Sequence, residues 1–489
     1  MRKKKINKVC ITYPPFEYNT NYPLISLNRQ FEWLKYEYYT YPIIPSYAAT
    51  LLENNGINVL FLDTIARNMN TIKWFEKIFE SLPDLLFFEV KTPIINYIWD
   101  IIEIIKEKYK DIYIVFAGDH VTALPEESML KSKVDFILTG GDYDMLLLNL
   151  VNHLNNGEKL NKGIYYRTST GNIKNTGHFI LEDSLDRLPF INRNLTNWKL
   201  YSKQNTYYKK IPGTFIMSGR CSLHNGYNTN SSNILFNNVR FRNPNNVIDE
   251  IDYLNKRYNI KEIIDCSYYF PTSEWLYVFC DMMNARKLNK KVYIDCYIYY
   301  DGVDYNDYKI MKKSGFKTII FNIDSLNNSI LDMKDIGIRG NNIIESIKMA
   351  SKAGLFTELS FNIGYPNETD DDIINSFYTV KNLMVNGYLN SVNVSLSIPY
   401  PGTKLFNYCK ENNLIKTENW FDYDMRDTVI KSNISDNKIF KYIEYFNNLS
   451  FNYSYLLHRL FSIRDIYDTK YYIKFLKSLF IYSSNKYKR

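Results

Sequence analysis

The chain has 489 residues, of which 45% are apolar and 23% charged, and its formal net charge is +8. This length predicts two or three domains, and the scattered lysines and arginines argue against a dedicated nucleic-acid surface. Six widely separated cysteines exclude a disulfide scaffold and favour a reducing cytoplasm. Neither a signal peptide nor a transmembrane segment is predicted, because the apolar runs are too short.

The first 190 or so residues alternate predicted strands and helices. The strands are predicted at residues 8–12, 59–62, 85–90, 112–117 and 136–139. The helices are predicted at 45–54, 94–109 and 144–154, and a closing hairpin at 162–167 and 179–180. Short apolar strands separated by such helices predict a parallel sheet covered on both faces, as in a Rossmann-like domain. Its ligands are expected at the carboxyl ends of the strands.

A second alternating series follows a linker that runs from about residue 188 to 211. Its strands are predicted at 214–218, 262–266, 292–296, 318–323, 357–363 and 391–397. Its helices are predicted at 247–258, 273–285, 305–314, 343–353 and 371–385. Six strand–helix units predict a partial (β/α)6 barrel of the TIM type. The predicted α/β chain thus divides into 1–195, a barrel at 205–430 and a helical extension at 431–489.

Short motifs follow one another in a set order along both series. They lie at residues 13–15, 45–56, 118–126, 139–142, 240–244, 247–251, 364–369 and 398–403. Each alone is consistent with an ordinary turn or helix start. In this order they resemble the cobalamin (B12)-binding radical S-adenosylmethionine (SAM) family, in the branch of the anaerobic magnesium-protoporphyrin cyclases. The resemblance implies a Rossmann-like cobalamin-binding domain followed by a radical SAM barrel.

The loop after the first barrel strand departs from this family. The family carries three cysteines there, spaced three and two residues apart, which hold a [4Fe–4S] cluster. This chain has Cys221, Asn225 and Asn228 at that spacing. Cluster iron requires thiolates, and a neutral amide is a poor substitute. Cys221 is therefore the one metal ligand of the degenerate motif, and we expect it to be insufficient.

Two alternatives concern the remaining cysteines near this loop. A rebuilt cluster site would use Cys221, His224, Cys266 and Cys296. Thiolates from separate strands rarely reach cluster geometry by accident. The simpler interpretation makes Cys266 and Cys296 small apolar residues of the barrel wall.

The resemblance also implies two cofactor regions. The first domain of this chain lacks the Asp-x-His-x-x-Gly stretch whose histidine ligates cobalt in many relatives. Glycines at strand ends let a ligand approach the backbone closely. The SAM region is expected at Asp324, Ser325, Gly364, Pro366 and Pro399. The cobalamin region is expected at Pro14, Thr92, Gly118, Asp119, His120, Val121, Gly140 and Gly141.

Two basic features have open interpretations. Arg220, Arg240 and Arg242 either bind a carboxylate or phosphate or form a solvated basic loop. The tail from Tyr471 to Arg489 either packs on the barrel, which we favour, or lies on a membrane surface.

Two functional hypotheses follow from these residues. In the first, the chain is a cytoplasmic pseudoenzyme that still binds cobalamin or SAM, with an active paralogue as a candidate partner. In the second, it is an active cobalamin-dependent radical SAM methyltransferase or cyclase with an atypical cluster. Both imply a small-molecule ligand.

Overall fold

The computed structural model describes most of the chain. The described residues are 5–16, 22–24, 31–34, 39–181, 184–203, 208–220, 235–236, 238–299, 302–332, 340–463, 466–470 and 472–473.

The amino-terminal part is built on one seven-stranded sheet and a separate two-stranded ribbon. Its strands are β1 (Lys8–Tyr13), β2 (Tyr22–Leu24), β3 (Glu32–Leu34), β4 (Asn58–Asp63), β5 (Leu85–Glu89), β6 (Tyr113–Ala117), β7 (Phe136–Leu138), β8 (Ile164–Arg167) and β9 (Ile173–Asn175). The sheet order is β4-β1-β5-β6-β7-β8-β9, and the first five strands in this order (β4, β1, β5, β6 and β7) are parallel. The strand order reverses between β1 and β5, because β4 is added on one side of β1 and β5 on the other. That switch point is where doubly wound sheets bind their ligands.

Helices cover the faces of this sheet. They are Ile43–Asn54, Thr71–Ser81, Ile95–Lys108, Asp119–Ala123, Pro125–Lys131 and Tyr143–Asn156, and Lys199–Lys203 follows in the linker. The helix Thr71–Ser81 was not predicted, although its signals are present. The Asn70 side chain caps its first turn by accepting from Lys73 N at 2.9 Å, and Trp74 and Ile78, four residues apart, are its buried residues.

The predicted closing hairpin is wrong in its second strand. That strand is β9, at Ile173–Asn175, and residues 179–180 lie outside it. The turn between β8 and β9 uses Gly171, whose φ of +83° favours glycine. Phe179 lies beyond this hairpin, and its ring packs over Gly140.

The second sheet has six parallel strands and confirms the predicted α/β partial barrel. The strands of this half are β10 (Gly213–Ile216), β11 (Gly219–Arg220), β12 (Arg240–Phe241), β13 (Glu262–Asp265), β14 (Tyr293–Tyr297), β15 (Phe316–Asn322), β16 (Phe356–Ile363) and β17 (Ser391–Leu396). The sheet order is β10-β13-β14-β15-β16-β17, and β11 pairs with β12 alone. The strands' carboxyl ends therefore meet at one edge, where such barrels place their site.

Helices alternate with these strands and continue beyond them. They are Pro244–Tyr258, Ser273–Ala285, Tyr305–Lys313, Asn328–Asp332, Gly340–Lys352, Asp370–Val385, Lys404–Glu411, Asp436–Asn448 and Tyr453–Phe461. The last two lie in the predicted helical extension and show that its described part is mainly helical. Within the described residues, no helix has the length and hydropathy to cross a membrane.

The two sheets share buried apolar contacts. Phe215, Met217 and Ile264 of the barrel belong to the same buried cluster as Tyr47 and Tyr143 of the first half. Ile216 and Ile263, the alternate residues, lie instead in the cluster beneath the barrel helices. The inward faces of β10 and β13 are thus covered by the amino-terminal part.

Candidate functional site

The predicted SAM residues come together at the carboxyl edge of the barrel. Asp324 and Ser325 follow β15, Gly364 follows β16 and Pro399 lies just beyond β17. Backbone hydrogen bonds continue past the strand ends, because Asn362 N donates to Asp324 O at 3.0 Å and Ser397 N to Ile363 O at 2.8 Å. Adjacent parallel strands therefore hold these loops side by side, with Asp324, Ser325, Pro366 and Pro399 all buried.

The turn after β16 is held by a buried carboxylate that the sequence interpretation missed. Glu368 Oε2 accepts from Gly364 N at 2.6 Å and from Tyr365 N at 3.3 Å. The φ of Gly364 is +91°, which suits glycine and few other residues. Tyr365 in turn donates its hydroxyl to Asp324 O at 3.2 Å. The shape of this edge is set by these contacts before any ligand binds.

Titration of Glu368 should be visible in the stability of the protein. Burial raises the pKa of Glu368 from 4.5 to about 8, although two backbone N–H groups favour the ionised form. The folded state then holds a proton that the unfolded chain releases near pH 4.5. Stability is full below that pH and falls as the pH rises to about 8, by up to ~1.4 kcal/mol per pH unit. Chemical denaturation of Glu368→Gln across this range should lack that loss; an unchanged pH profile would contradict the assignment.

The switch point of the first sheet holds a second buried carboxylate. Glu89, at the end of β5, accepts from the Tyr143 hydroxyl at 2.7 Å and from the Tyr13 hydroxyl at the end of β1. Burial raises the pKa of Glu89, and Lys91 opposes this effect. Lys91 pairs with Asp119 at 2.8 Å, and both side chains are buried. The polar groups at this edge are thus satisfied by one another.

His120, in the predicted cobalamin region, lies between Thr92 and Glu127. Nδ1 lies 3.3 Å from Thr92 Oγ1, and Nε2 lies 3.3 Å from Glu127 Oε2. Trp420 closes over this group, because its indole N–H donates to Glu127 at 3.1 Å and its ring contacts His120. The ring is buried and does not face open space.

The glycines of the predicted cobalamin region are used for packing within the chain. A Cβ atom at Gly118 would overlap the backbone of Val90. A Cβ atom at Gly140 would overlap the ring of Phe179, and one at Gly141 the ring of Phe236. Pro14 and Val121 are buried at the same edge. In the described residues, these glycines therefore make room for the protein's own groups.

Arg220 and Arg240 bind carboxylates, as the first alternative predicted, and these carboxylates belong to the first half of the chain. Arg220 donates to Asp142 at 2.7 Å and bonds Asp144 through two nitrogens, one at 3.0 Å. Arg240 donates to both oxygens of Asp142, at 2.8 and 2.9 Å. Arg220 and Asp144 are fully buried. We call Arg220, Arg240, Asp142 and Asp144 the interdomain ion cluster.

Arg242 belongs to a different buried pair. It donates to Glu250 Oε2 at 2.5 Å and to Met217 O at 3.1 Å. Both members of the pair are buried within the barrel half. Arg242 therefore fixes the helix Pro244–Tyr258 to the end of β10 and is not solvated.

The degenerate cluster motif itself lies outside the described residues, which omit Cys221, His224, Asn225 and Asn228. The residues on either side of the motif are described, and both contact the loop that follows β7 in the first half. Arg220 joins the interdomain ion cluster, and Leu235 O accepts from Gly141 N at 2.8 Å.

The cysteines considered for a rebuilt site have other environments. The Cys266 thiol donates to Ile216 O at 2.9 Å. Cys296 is fully buried in the cluster beneath the barrel helices, and burial raises its pKa. The two side chains thus face opposite sides of the sheet. Among the described residues, no group of three His, Cys, Asp or Glu side chains could hold a metal ion.

Known proteins share both this sequence pattern and this fold. The pattern of the radical SAM superfamily matches residues 218–377. The chain is 27% identical over 408 residues to an uncharacterized methyltransferase of Pyrococcus horikoshii, covering 80% of this chain and 83% of the relative. It is 22% identical over 381 residues to the anaerobic magnesium-protoporphyrin IX monomethyl ester cyclase of Rubrivivax gelatinosus, covering 75% of this chain and 65% of the cyclase.

Two solved structures share most of the fold at low identity. The radical SAM methyltransferase TsrM from Kitasatospora setae, solved with cobalamin and a [4Fe-4S] cluster, has a TM-score of 0.63 and 15% identity over 83% of this chain and 78% of TsrM. The cobalamin-dependent radical SAM enzyme OxsB has a TM-score of 0.62 and 14% identity over 87% of this chain and 57% of OxsB. Residues 218–377 thus match the radical SAM superfamily, and the two-sheet fold of the chain is similar to the folds of TsrM and OxsB.

Proposed function

We propose that this protein binds SAM at the carboxyl edge of the barrel without supporting cluster-based radical chemistry. The observation that carries the proposal is the pair of asparagines at positions 225 and 228, where thiolates are needed. The described cysteines do not compensate, since Cys266 and Cys296 face opposite sides of the sheet. The residues of this chain therefore do not fit a [4Fe–4S] cluster.

The barrel edge fits SAM better than the loop fits a cluster. Gly364 leaves the backbone open to a ligand, since a Cβ atom there would meet only Ile439, at 3.5 Å. Asp324 supplies a carboxylate that can accept from a hydroxyl or an amino group. When bound, SAM would supply an electrophilic methyl group; the residues named here would bind and orient it.

Cobalamin is the weaker proposal for this chain. The structural relatives are named as cobalamin-dependent or cobalamin-bound proteins. At the corresponding edge here, His120 is engaged by Thr92 and Glu127, and Phe179 and Phe236 cover the paired glycines. We therefore propose SAM as the retained ligand and expect hydroxocobalamin to bind less tightly than SAM in parallel titrations.

The SAM proposal is tested by calorimetric titration of two glycine variants. Gly364→Ala forces a Cβ atom onto a φ of +91°, so the turn should shift and SAM affinity should fall by about tenfold. Gly171→Ala, at a φ of +83° in the β8–β9 turn, imposes the same kind of strain far from the barrel and should leave affinity unchanged. Equal affinities for both variants, or no binding by the wild type, would refute the proposal.

An active methyltransferase remains the second candidate, because two of the relatives are named as methyltransferases. It predicts that S-adenosylhomocysteine forms on incubation with SAM, hydroxocobalamin and a reductant, because reduced cobalamin can accept the methyl group. For either candidate we propose a reducing cytoplasmic location, because all five described cysteines are buried free thiols. For the first, we propose that an active paralogue is the partner it regulates.

A further inference from the structure

The inner face of the barrel changes character across the sheet. On β10 and β13 it is apolar and is covered by the amino-terminal part, to whose core Phe215 and Ile264 belong. On β16 and β17, apolar and polar residues alternate. The apolar residues of these two strands lie in the cluster beneath the barrel helices or pack against it, namely Leu359, Phe361, Ile363, Val392, Val394 and Leu396. The residues between them therefore face the inside of the barrel.

This alternation departs from the usual pattern of parallel strands. Such strands are normally apolar on both faces, and the interior of a closed barrel is normally filled by branched apolar residues. The inward positions of β16 and β17 are instead polar from the third residue of β16 onward, namely Glu358, Ser360, Asn362, Ser391, Asn393 and Ser395. This part of the interior is therefore suited to water or a polar ligand.

The register of the strands places these side chains in rows. Asn322 of β15 lies beside Ser360, and Ser360 lies beside Asn393. The next row toward the carboxyl edge contains Asn362 and Ser395. Neighbouring strands are about 4.8 Å apart, so the five side chains form one continuous surface across three strands. We call these five residues the polar inner face.

Four members of the polar inner face have unused hydrogen-bonding capacity. Asn322, Ser360 and Ser395 are half-buried, and Asn393 is exposed. Within the described part of the chain, none of these four side chains takes part in a hydrogen bond. Polar groups enclosed by a protein normally have such partners. The partners of these four side chains are therefore water or a bound molecule.

The chemistry of the polar inner face matches a molecule rich in hydroxyl groups. Each asparagine amide presents a donor and an acceptor side by side, and each serine hydroxyl can donate or accept. Neighbouring hydroxyl groups of a sugar fit this arrangement, because each of them also donates and accepts. The face has no lysine or arginine for a phosphate or carboxylate. The half-buried carboxylate of Glu358, one row away, would repel such groups.

The polar inner face lies beside the carboxyl edge that we propose for SAM. Ser360 precedes Gly364 by four residues, which corresponds to about 13 Å along a strand. A molecule bound at Asn322, Ser360 and Asn393 would therefore neighbour SAM without taking its place. The inside of a barrel is concave, and concave surfaces admit small molecules.

We infer that the polar inner face binds a neutral, hydroxyl-rich molecule of the sugar class. As the substrate class of the SAM site, this inference rests on the proposed function. Binding of the sugar itself does not, and it can be measured without SAM.

Calorimetric titration of the full-length protein with D-ribose, D-glucose, sucrose and trehalose, each without SAM, tests the inference. At least one of these sugars should bind the wild type. Ser360→Val/Ser395→Val removes two hydroxyl groups from the face and should weaken that binding by about tenfold, because two hydrogen bonds are lost. The variant should keep its fold, because strands accept valine readily.

The matched control is Ser360→Thr/Ser395→Thr, which has nearly the shape of the valine variant but keeps both hydroxyl groups. It should bind the sugar about tenfold more tightly than the valine variant does. Both variants should bind SAM as the wild type does, since neither changes the turn at Gly364.

The outcomes separate this inference from the proposed function. A wild type that binds none of the four sugars, or equal sugar affinities for the valine and threonine variants, overturns the inference. A valine variant that loses SAM affinity relative to the threonine variant overturns it too, because the face then belongs to the SAM site. Sugar binding by a wild type that does not bind SAM supports the sugar site and refutes the proposed function alone.

Discussion

Replacing Asp144 with alanine is expected to lower the free energy of unfolding by about 3–5 kcal/mol. The change leaves the fully buried guanidinium of Arg220 with Asp142 as its remaining carboxylate partner. Asp142 also binds Arg240. Burial works to lower the pKa of Arg220, but the carboxylates outweigh it and raise the pKa, so the charge persists. Urea denaturation of the variant measures this loss.

Two further variants decide whether the interdomain ion cluster causes the effect. Lys77→Ala breaks an exposed pair with Glu80 and should leave the free energy of unfolding nearly unchanged. Arg220→Met/Asp144→Leu removes both buried charges and should recover much of the stability that Asp144→Ala loses. If Asp144→Ala costs no more than Lys77→Ala, the ion cluster does not hold the two halves together.

The largest expected effect on metal content comes from restoring the missing thiolates. Asn225→Cys/Asn228→Cys, which recreates three cysteines at the family spacing, should bind about four irons per chain after anaerobic reconstitution. The flanks are already placed, because Arg220 and Leu235 are both anchored to the first half. Iron and acid-labile sulfide per chain measure the gain.

The control for this gain is Asn225→Ser/Asn228→Ser. It changes the same positions to small polar residues that do not ligate iron, and its metal content should equal that of the wild type. A cysteine variant that takes up no more iron than the serine variant would show that the surrounding loop has also lost the capacity to hold a cluster.

The fold was predictable because its signals are local. Short apolar runs separated by amphipathic segments predicted the parallel sheets, and the motif order predicted which sheet comes first. Two elements were missed. The helix Thr71–Ser81 has a local cap and two buried residues that could have identified it. The strand Ile173–Asn175 is short and largely exposed, so no apolar pattern marks it.

The site was predictable only where strand ends impose neighbours. Asp324, Gly364 and Pro399 follow adjacent strands, so parallel order alone brings them together. The roles of Glu89 and Asp144 were not predictable, because their partners lie 54 or 76 residues away along the chain and are recognisable only in the folded structure. The sequence predicted that the arginines near the loop could bind carboxylates, but not which ones, because the partners of Arg220 and Arg240 belong to the other half of the chain.

Anaerobic iron and sulfide analysis of the wild-type protein, reconstituted with excess iron and sulfide and then desalted, tests the central claim most directly. Since two of three thiolate positions are asparagine, we predict well under about one iron per chain and no cluster absorbance. A stable content of about four irons per chain, retained on a sizing column, would contradict the account.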